Sequence, residues 1–219
     1  MDDQTRKIPS HEVTYARLRD MILFGHLLPG QPVTIQGLIR DLEAGMTPVR
    51  EAIRRLTAEG ALLPQGNRRV AVPQLTPALL DQLAFVRLTV EPKLAELAGA
   101  HLTPSLIDRL EAIDDGVDRA IRGGSVPDYL ASNHAFHFAL YEASEAPILV
   151  DIARGLWLRF GPSLRVVCAR YGAAALPDRH EEALAAMRAG DRAALARAIE
   201  NDIQQGIDQI RQAQAEGGV

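Results

Sequence analysis

The chain has 219 residues, 47% hydrophobic and 24% charged, an ordinary globular balance that allows one large domain or two small ones. No uncharged run approaches the ~18 residues a membrane helix needs, and the start MDDQTRK has no apolar signal-peptide core. The single cysteine, Cys168, excludes an internal disulfide and points to a reducing, cytoplasmic setting. The formal net charge of −4 divides unevenly: residues 1–73 hold 10 Lys+Arg against 8 Asp+Glu, and residues 74–219 hold 14 against 20. A slightly basic first third and an acidic remainder point to two jobs.

Aromatics are scarce at 5%, so the core falls to Leu, Ile, Val and Ala, which predicts a mainly α fold. In VTYARLRDMILF, residues 13–24, Val13, Leu18, Ile22 and Leu23 recur at helical spacing, and Gly25 and Pro29-Gly30 end the helix. Thr34 is the expected cap of a short second helix, IQGLIRDLE. Gly45 breaks the chain. Thr47 is the predicted cap of a third helix, with Pro48 at its first position, where a missing N–H costs nothing. Val49, Ala52, Ile53 and Leu56 give that helix one apolar face, and Glu59-Gly60 ends it. ALLP and RVAV then flank Gln65-Gly66-Asn67-Arg68, a hairpin signal. Residues 74–77 read as a linker. Six helices are predicted beyond it, at about 77–100, 104–122, 126–143, 146–171, 178–189 and 192–214, forming an antiparallel bundle. Thr103-Pro104, Gly123-Gly124, Ala146-Pro147, Gly172 with Pro177, and Gly190-Asp191 mark the breaks, and the tail AQAEGGV is expected to fray.

TPVREAIRRL, residues 47–56, carries three arginines in an acidic chain. At about 100° per residue, Thr47, Arg50, Glu51 and Arg54 share one arc, away from the apolar one. A recognition helix needs that division, because its first turns face base edges in the major groove. Arginine can take guanine O6 and N7 together and also pairs with phosphates. Arg68 and Arg69, at the hairpin tip, suit a wing that reaches a minor groove. Residues 45–72 hold five arginines against two glutamates, so the cations stand where phosphates would be.

Residues 13–72 resemble the winged helix of the GntR family of bacterial transcription regulators. The matching pieces are Leu18-Arg19, the Gly25–Gly30 turn, Leu38, Thr47 to Ala52 (TPVREA), Leu56 and Glu59-Gly60. The resemblance implies DNA contacts from Gln36, Met46, Thr47, Pro48, Arg50, Arg54, Asn67, Arg68 and Arg69. Where the family often has Gly-Val-Ser-Arg, this chain has Glu43-Ala44-Gly45-Met46, so Met46 replaces an expected arginine. The wing tip, often Arg-Gly, is Asn67-Arg68-Arg69 here. The domains that follow are a winged helix-turn-helix with a small β-hairpin wing over 1–73, a linker over 74–77, and a C-terminal helical domain over 78–219.

VRLTVEPKLAELA (86–98), NHAFHFALYEAS (133–144) and HEEALAAMRAGD (180–191) resemble the FCD effector domain of the FadR branch, in its six-helix, VanR-type form. Such domains often hold a metal through an Asp and three His. The resemblance maps those positions onto Asn133, His137, His180 and Asp202, with one Asp replaced by Asn and one His by Asp. Residues 133 and 137 share a helix face. The set suits a divalent transition metal such as Zn, Ni or Mn. The alternative is that His137 and His180 are hydrogen-bonded pocket residues. His134 is expected to be exposed or to support a ligand. The family's small carboxylate effectors imply countercharges, for which Arg87, Arg159 and Arg165 are candidates. Trp157 reads as core or pocket wall, and Cys168 as a buried helix residue.

Three functions follow. The first is a ligand-responsive regulator, a repressor, that binds double-stranded operator DNA as a homodimer. A metalloenzyme in the bundle is the second, weakened by the absence of HExxH, of a paired acid–base carboxylate and of a phosphate-cradling loop. The third is a constitutive DNA-binding dimer with no effector.

Overall fold

The computed structural model describes residues 10–172 and 179–217. MDDQTRK, the Pro177 break, the predicted helix start at 178 and the last two residues of the tail lie outside the described residues. The first half comprises α1 (Ser10–Leu23), β1 (Val33–Thr34), α2 (Ile35–Asp41), α3 (Met46–Ala58), β2 (Leu63–Gln65) and β3 (Arg69–Ala71). The second comprises α4 (Pro77–Ala98), α5 (Pro104–Gly123), α6 (Val126–Glu142), α7 (Pro147–Tyr171), α8 (His180–Ala189) and α9 (Arg192–Ala215).

Leu18 and Ile22 of α1, Leu38 of α2, and Val49, Ala52 and Leu56 of α3 close a small core over which β3 lays Val70. One expected core residue is misplaced: Val13 is 41% exposed. Helix α1 begins at Ser10 and buries Thr14 instead, whose hydroxyl donates to the Ser10 carbonyl at 2.8 Å and so satisfies itself locally. Thr34 caps α2 as predicted, accepting from Gly37 N at 2.9 Å. Thr47 does not cap α3. The cap is Gly45, extended at φ −69° and ψ 162°, and the helix begins at Met46. Pro48 still falls in the first turn, where N–H groups lack intrahelical acceptors.

The sheet order is β1-β3-β2, all antiparallel, with Val33 opposite Val70 and Gln65 opposite Arg69. Strand β1 is not visible in the sequence, because two residues show no alternation. It forms because β3 presents an edge to it. The wing loop is Gly66-Asn67-Arg68, with Asn67 and Arg68 at φ 61° and 58°. Left-handed backbone costs a non-glycine residue on the order of 1 kcal/mol, and asparagine tolerates it best.

In the bundle, Thr76 and Thr103 cap α4 and α5 just ahead of Pro77 and Pro104, and Asp191 caps α9. Helix α4 lies along α9, α5 along α6, and α8 along α9. Helices α4 and α7 run on through Pro92 and Pro162. The two halves touch closely where α1 meets α7: a Cβ on Gly161 would stand 2.7 Å from the Leu23 carbonyl oxygen, so glycine sets how near they come. No described helix is long and apolar enough to cross a membrane.

Candidate DNA interface and buried polar centre

On α3 the apolar face points inward and Met46, Thr47, Arg50, Glu51 and Arg54 stand exposed. A groove of about 230 Å³ runs between the first turns of α2 and α3 and the wing tip. Five of the nine expected DNA contacts line it: Gln36, Met46, Arg50, Asn67 and Arg68. The Arg68 carbonyl accepts from Ile35 N at 3.1 Å, which ties the wing tip to the start of α2. Thr47 and Pro48 lie beside Met46 in the first turn, and Arg69 lies on β3. Arg54 forms an ion pair with Glu51 at 2.5 Å, and this hydrogen bond holds the Glu51 carboxyl below its usual range. The pair removes a bare carboxylate from a face that would otherwise repel phosphates.

The bundle encloses the opposite kind of surface. Arg87, Glu91, Asn133, His137 and His180 are all buried. Glu91 is the hub. It accepts from Arg87 Nε at 2.5 Å and Nη2 at 3.2 Å, and from the Tyr141 hydroxyl and Trp157 Nε1, each at 2.8 Å. The Arg87 guanidinium lies over the Trp157 and Phe160 rings. Burial, and then the charge of Glu91, push the Tyr141 phenol well above its usual range, so it stays protonated.

That geometry fixes the tautomer of His137. Tyr141 has one proton and gives it to Glu91, so His137 Nδ1, 3.0 Å away, must donate to the Tyr141 oxygen. Nε2 of a neutral His137 then carries a lone pair, and it stands 3.1 Å from Asp202 Oδ2 with no hydrogen-bond donor to it among the described residues. A lone pair aimed at a carboxylate needs a cation between them: a second proton or a metal. His180 is fixed in turn by Asp114, Nδ1 to Oδ1 at 2.7 Å. One ligand atom from each of His137, His180 and Asp202 lies within 4.8 Å of the others. Asn133 and Asp202 line a common cavity with Arg87 and Trp157. Burial alone would raise the Asp202 carboxyl; a second proton on His137, bringing a hydrogen bond and a positive charge, together with the charge of His180, outweighs it and holds it at about 2.

Charge balance makes the same demand. Glu91, Asp114 and Asp202 bring three carboxylates to the centre and Arg87 brings one cation. Two imidazolium protons or one divalent ion neutralise the difference, and unpaired buried charge is costly. Outer carboxylates and hydroxyls that orient the imidazoles of a metal centre are what Asp114 and the Tyr141–Glu91 chain supply.

Two of the three expected effector arginines are elsewhere. Arg159 donates through Nε and Nη2 to the Glu59 carbonyl, at 3.2 and 2.8 Å, pinning the end of α3 to α7. Arg165 packs under Gly25, whose φ of 71° and missing Cβ admit it. Both point from α7 toward the first half, because α7 forms the seam between the halves. Arg87 does line the cavity, and its Nη1 is buried without a hydrogen-bond partner among the described residues. The cavity admits about 30 Å³, space for roughly two waters.

His134 differs from its expected exposed or supporting place. It is wedged at the seam, stacked on Phe138 at 4.4 Å and edge-on to Trp157 at 5.5 Å and Phe24 at 5.8 Å. Burial, followed by the charges of His137, Arg19 and Arg154, pushes its imidazole down to about 3. Glu91, Tyr141 and Asp114 are not among the residues that sequence patterns single out. Arg87 and Glu91 stand one helical turn apart, a spacing that could have revealed the pair. Asp114 carries no such signal.

A helix-turn-helix with a wing, joined to a helical domain that buries a polar centre, defines a DNA-binding regulator with a ligand-sensing half. Similarity to known proteins agrees. Residues 11–72 match the bacterial regulatory proteins of the gntR family, and residues 82–205 match the FCD domain. The chain belongs to the GntR-type transcriptional regulators that carry an FCD domain. It is 29% identical over 193 residues to the HTH-type transcriptional regulator McbR of Escherichia coli strain K12, spanning 87% of each chain. Identity to the HTH-type transcriptional repressor RspR of the same strain is 23% over 212 residues, 95% of this chain and 92% of that one. Among solved structures, E. coli McbR/YncC superposes with a TM-score of 0.89 at 27% identity, over 94% of this chain and 99% of that one. Family and relatives are regulators rather than enzymes, which answers the metalloenzyme alternative.

Proposed function

We propose that this regulator is a repressor whose grip on a two-fold operator is set by a small carboxylate bound beside a divalent transition metal, Zn, Ni or Mn. His137, His180 and Asp202 would hold the metal, with the Asn133 amide oxygen at its edge. Bound there, it would supply the positive charge that a carboxylate effector needs, and the unpaired Nη1 of Arg87 would take the effector's other oxygen. The observation that carries the reading is His137 Nε2, held by its tautomer with a lone pair toward Asp202. The small cavity implies that the effector must displace water or part the helices to enter.

Trp157 gives occupancy a physical route outward. It lines the cavity and donates to Glu91, and it touches His134, which meets Phe24 just beyond α1. Dimerisation through the bundle has support in large apolar side chains left outside: Phe85 on α4 is 74% exposed and Ile148 on α7 75%, on two helices that pack together. A second copy would cover them and set two recognition helices about one DNA turn apart.

The test is thermal denaturation of metal-stripped protein with Zn, Ni or Mn, then with small carboxylates, repeated on operator DNA. A metal at a hundred times its dissociation constant stabilises by about 2.7 kcal/mol, and Asp202→Ala should abolish that gain. A transition unmoved by all three metals sinks the metal reading and leaves His137 and Asp202 as a proton-mediated ion pair.

A further inference from the structure

Met46 is the one large hydrophobic residue of α3 that is strongly exposed, at 47%. It occupies the first helical position, one turn before Arg50, and both line the groove shared with Gln36, Asn67 and Arg68. With Ile35, which lines the same groove, Met46 puts an apolar spot among groups that otherwise suit phosphates and polar base edges. That spot suits an apolar surface on the partner. In the major groove of DNA a single base edge offers one, the C5-methyl group of thymine. Methionine suits that contact, since its unbranched, polarisable thioether adapts to a small apolar target. Arg50, about 40° further round the helix and four residues on, is left to take guanine through O6 and N7.

We propose that Met46 reads the methyl group of a thymine in each operator half-site, beside the base taken by Arg50, and so sets which operator this regulator recognises. The inference rests on the DNA-binding reading and adds to it a base and an atom. Gly45 helps: with no side chain at the cap, nothing stands ahead of Met46 at the tip of the helix, and the nearest atoms to a Cβ there would be those of Pro48, at 3.6 Å.

The experiment begins by selecting binding sites from random duplex DNA with the full-length protein. Each thymine of the selected operator is then replaced by deoxyuracil, which removes the methyl and nothing else, and affinity is read by fluorescence anisotropy. One position in each half-site should lose about four-fold, the worth of one buried methyl. Met46→Ala, with an unchanged melting temperature, should bind both operators equally and about as weakly as wild type binds the uracil form. Selection repeated with Met46→Arg should replace thymine by guanine at that position. An operator indifferent to every uracil, or a thymine preference that survives in Met46→Ala, overturns the assignment and leaves the regulator reading intact. Failure to enrich any sequence overturns both.

Discussion

The two halves of the molecule handle charge in opposite ways. The winged half keeps its cations on the surface, where Arg50 and Arg68 border an open groove. The helical half takes Arg87, Glu91, His137 and His180 out of water altogether. An exposed guanidinium costs the fold little and waits for a phosphate or a guanine. A buried one must be matched in place, so every group around Glu91 constrains the next. Mutation should therefore strike binding in the first half and stability in the second.

Glu91→Ala is the hardest blow to that contrast. It would leave Arg87, the Tyr141 hydroxyl and the Trp157 N–H unmatched in the interior. Breaking a buried ion pair from one side costs about 3–5 kcal/mol. A melting temperature lower by about 10 °C is expected for a chain this size. An unchanged transition would show that water reaches the site and that it is not the rigid centre described.

Arg50→Ala should do the reverse, costing operator affinity about 1–3 kcal/mol with no change in melting. Wild-type affinity from a folded Arg50→Ala protein would remove α3 from the role of recognition helix.

His134→Ala tests whether the halves communicate at the seam. DNA and the metal proposed for the buried centre should each still bind, while the effect of one on the other should fall by about 0.5–2 kcal/mol. Coupling equal to wild type would move the route away from the Phe24–His134–Trp157 contacts.

The smallest effect is expected at the wing. Arg68→Ala should weaken all DNA sequences alike and lower the salt slope by about one unit, as loss of a phosphate or minor-groove contact would. A changed base preference at constant slope would make the wing a reader of sequence.

Much of this contrast is legible in the amino-acid order alone. Val49, Ala52 and Leu56 against Arg50 and Arg54 is a periodicity of near neighbours, and the helix that buries the first set must expose the second. Thr34 and Thr103-Pro104 mark helix starts for local reasons, as does Gly190 with Asp191 at the α8–α9 turn, whereas Thr76-Pro77, read as linker, caps and begins α4. Where local signals are thin, periodicity misplaces a residue or a face. Gly45, not Thr47, caps α3, and Thr14 displaces Val13 because its hydroxyl can bond within its own helix.

By itself, then, the sequence determined the order of the helices and the outward face of α3, and resemblance pointed to Asn133, His137, His180 and Asp202. Only the tertiary structure decided their setting. That Asp114 and Glu91 stand behind the two imidazoles, that Arg87 alone of three arginines reaches the cavity, and that β1 exists at all depend on residues dozens of positions apart. Helical period reports which side chains share a face over three or four residues. It carries no information about which faces meet, because that is settled by packing the whole bundle at once.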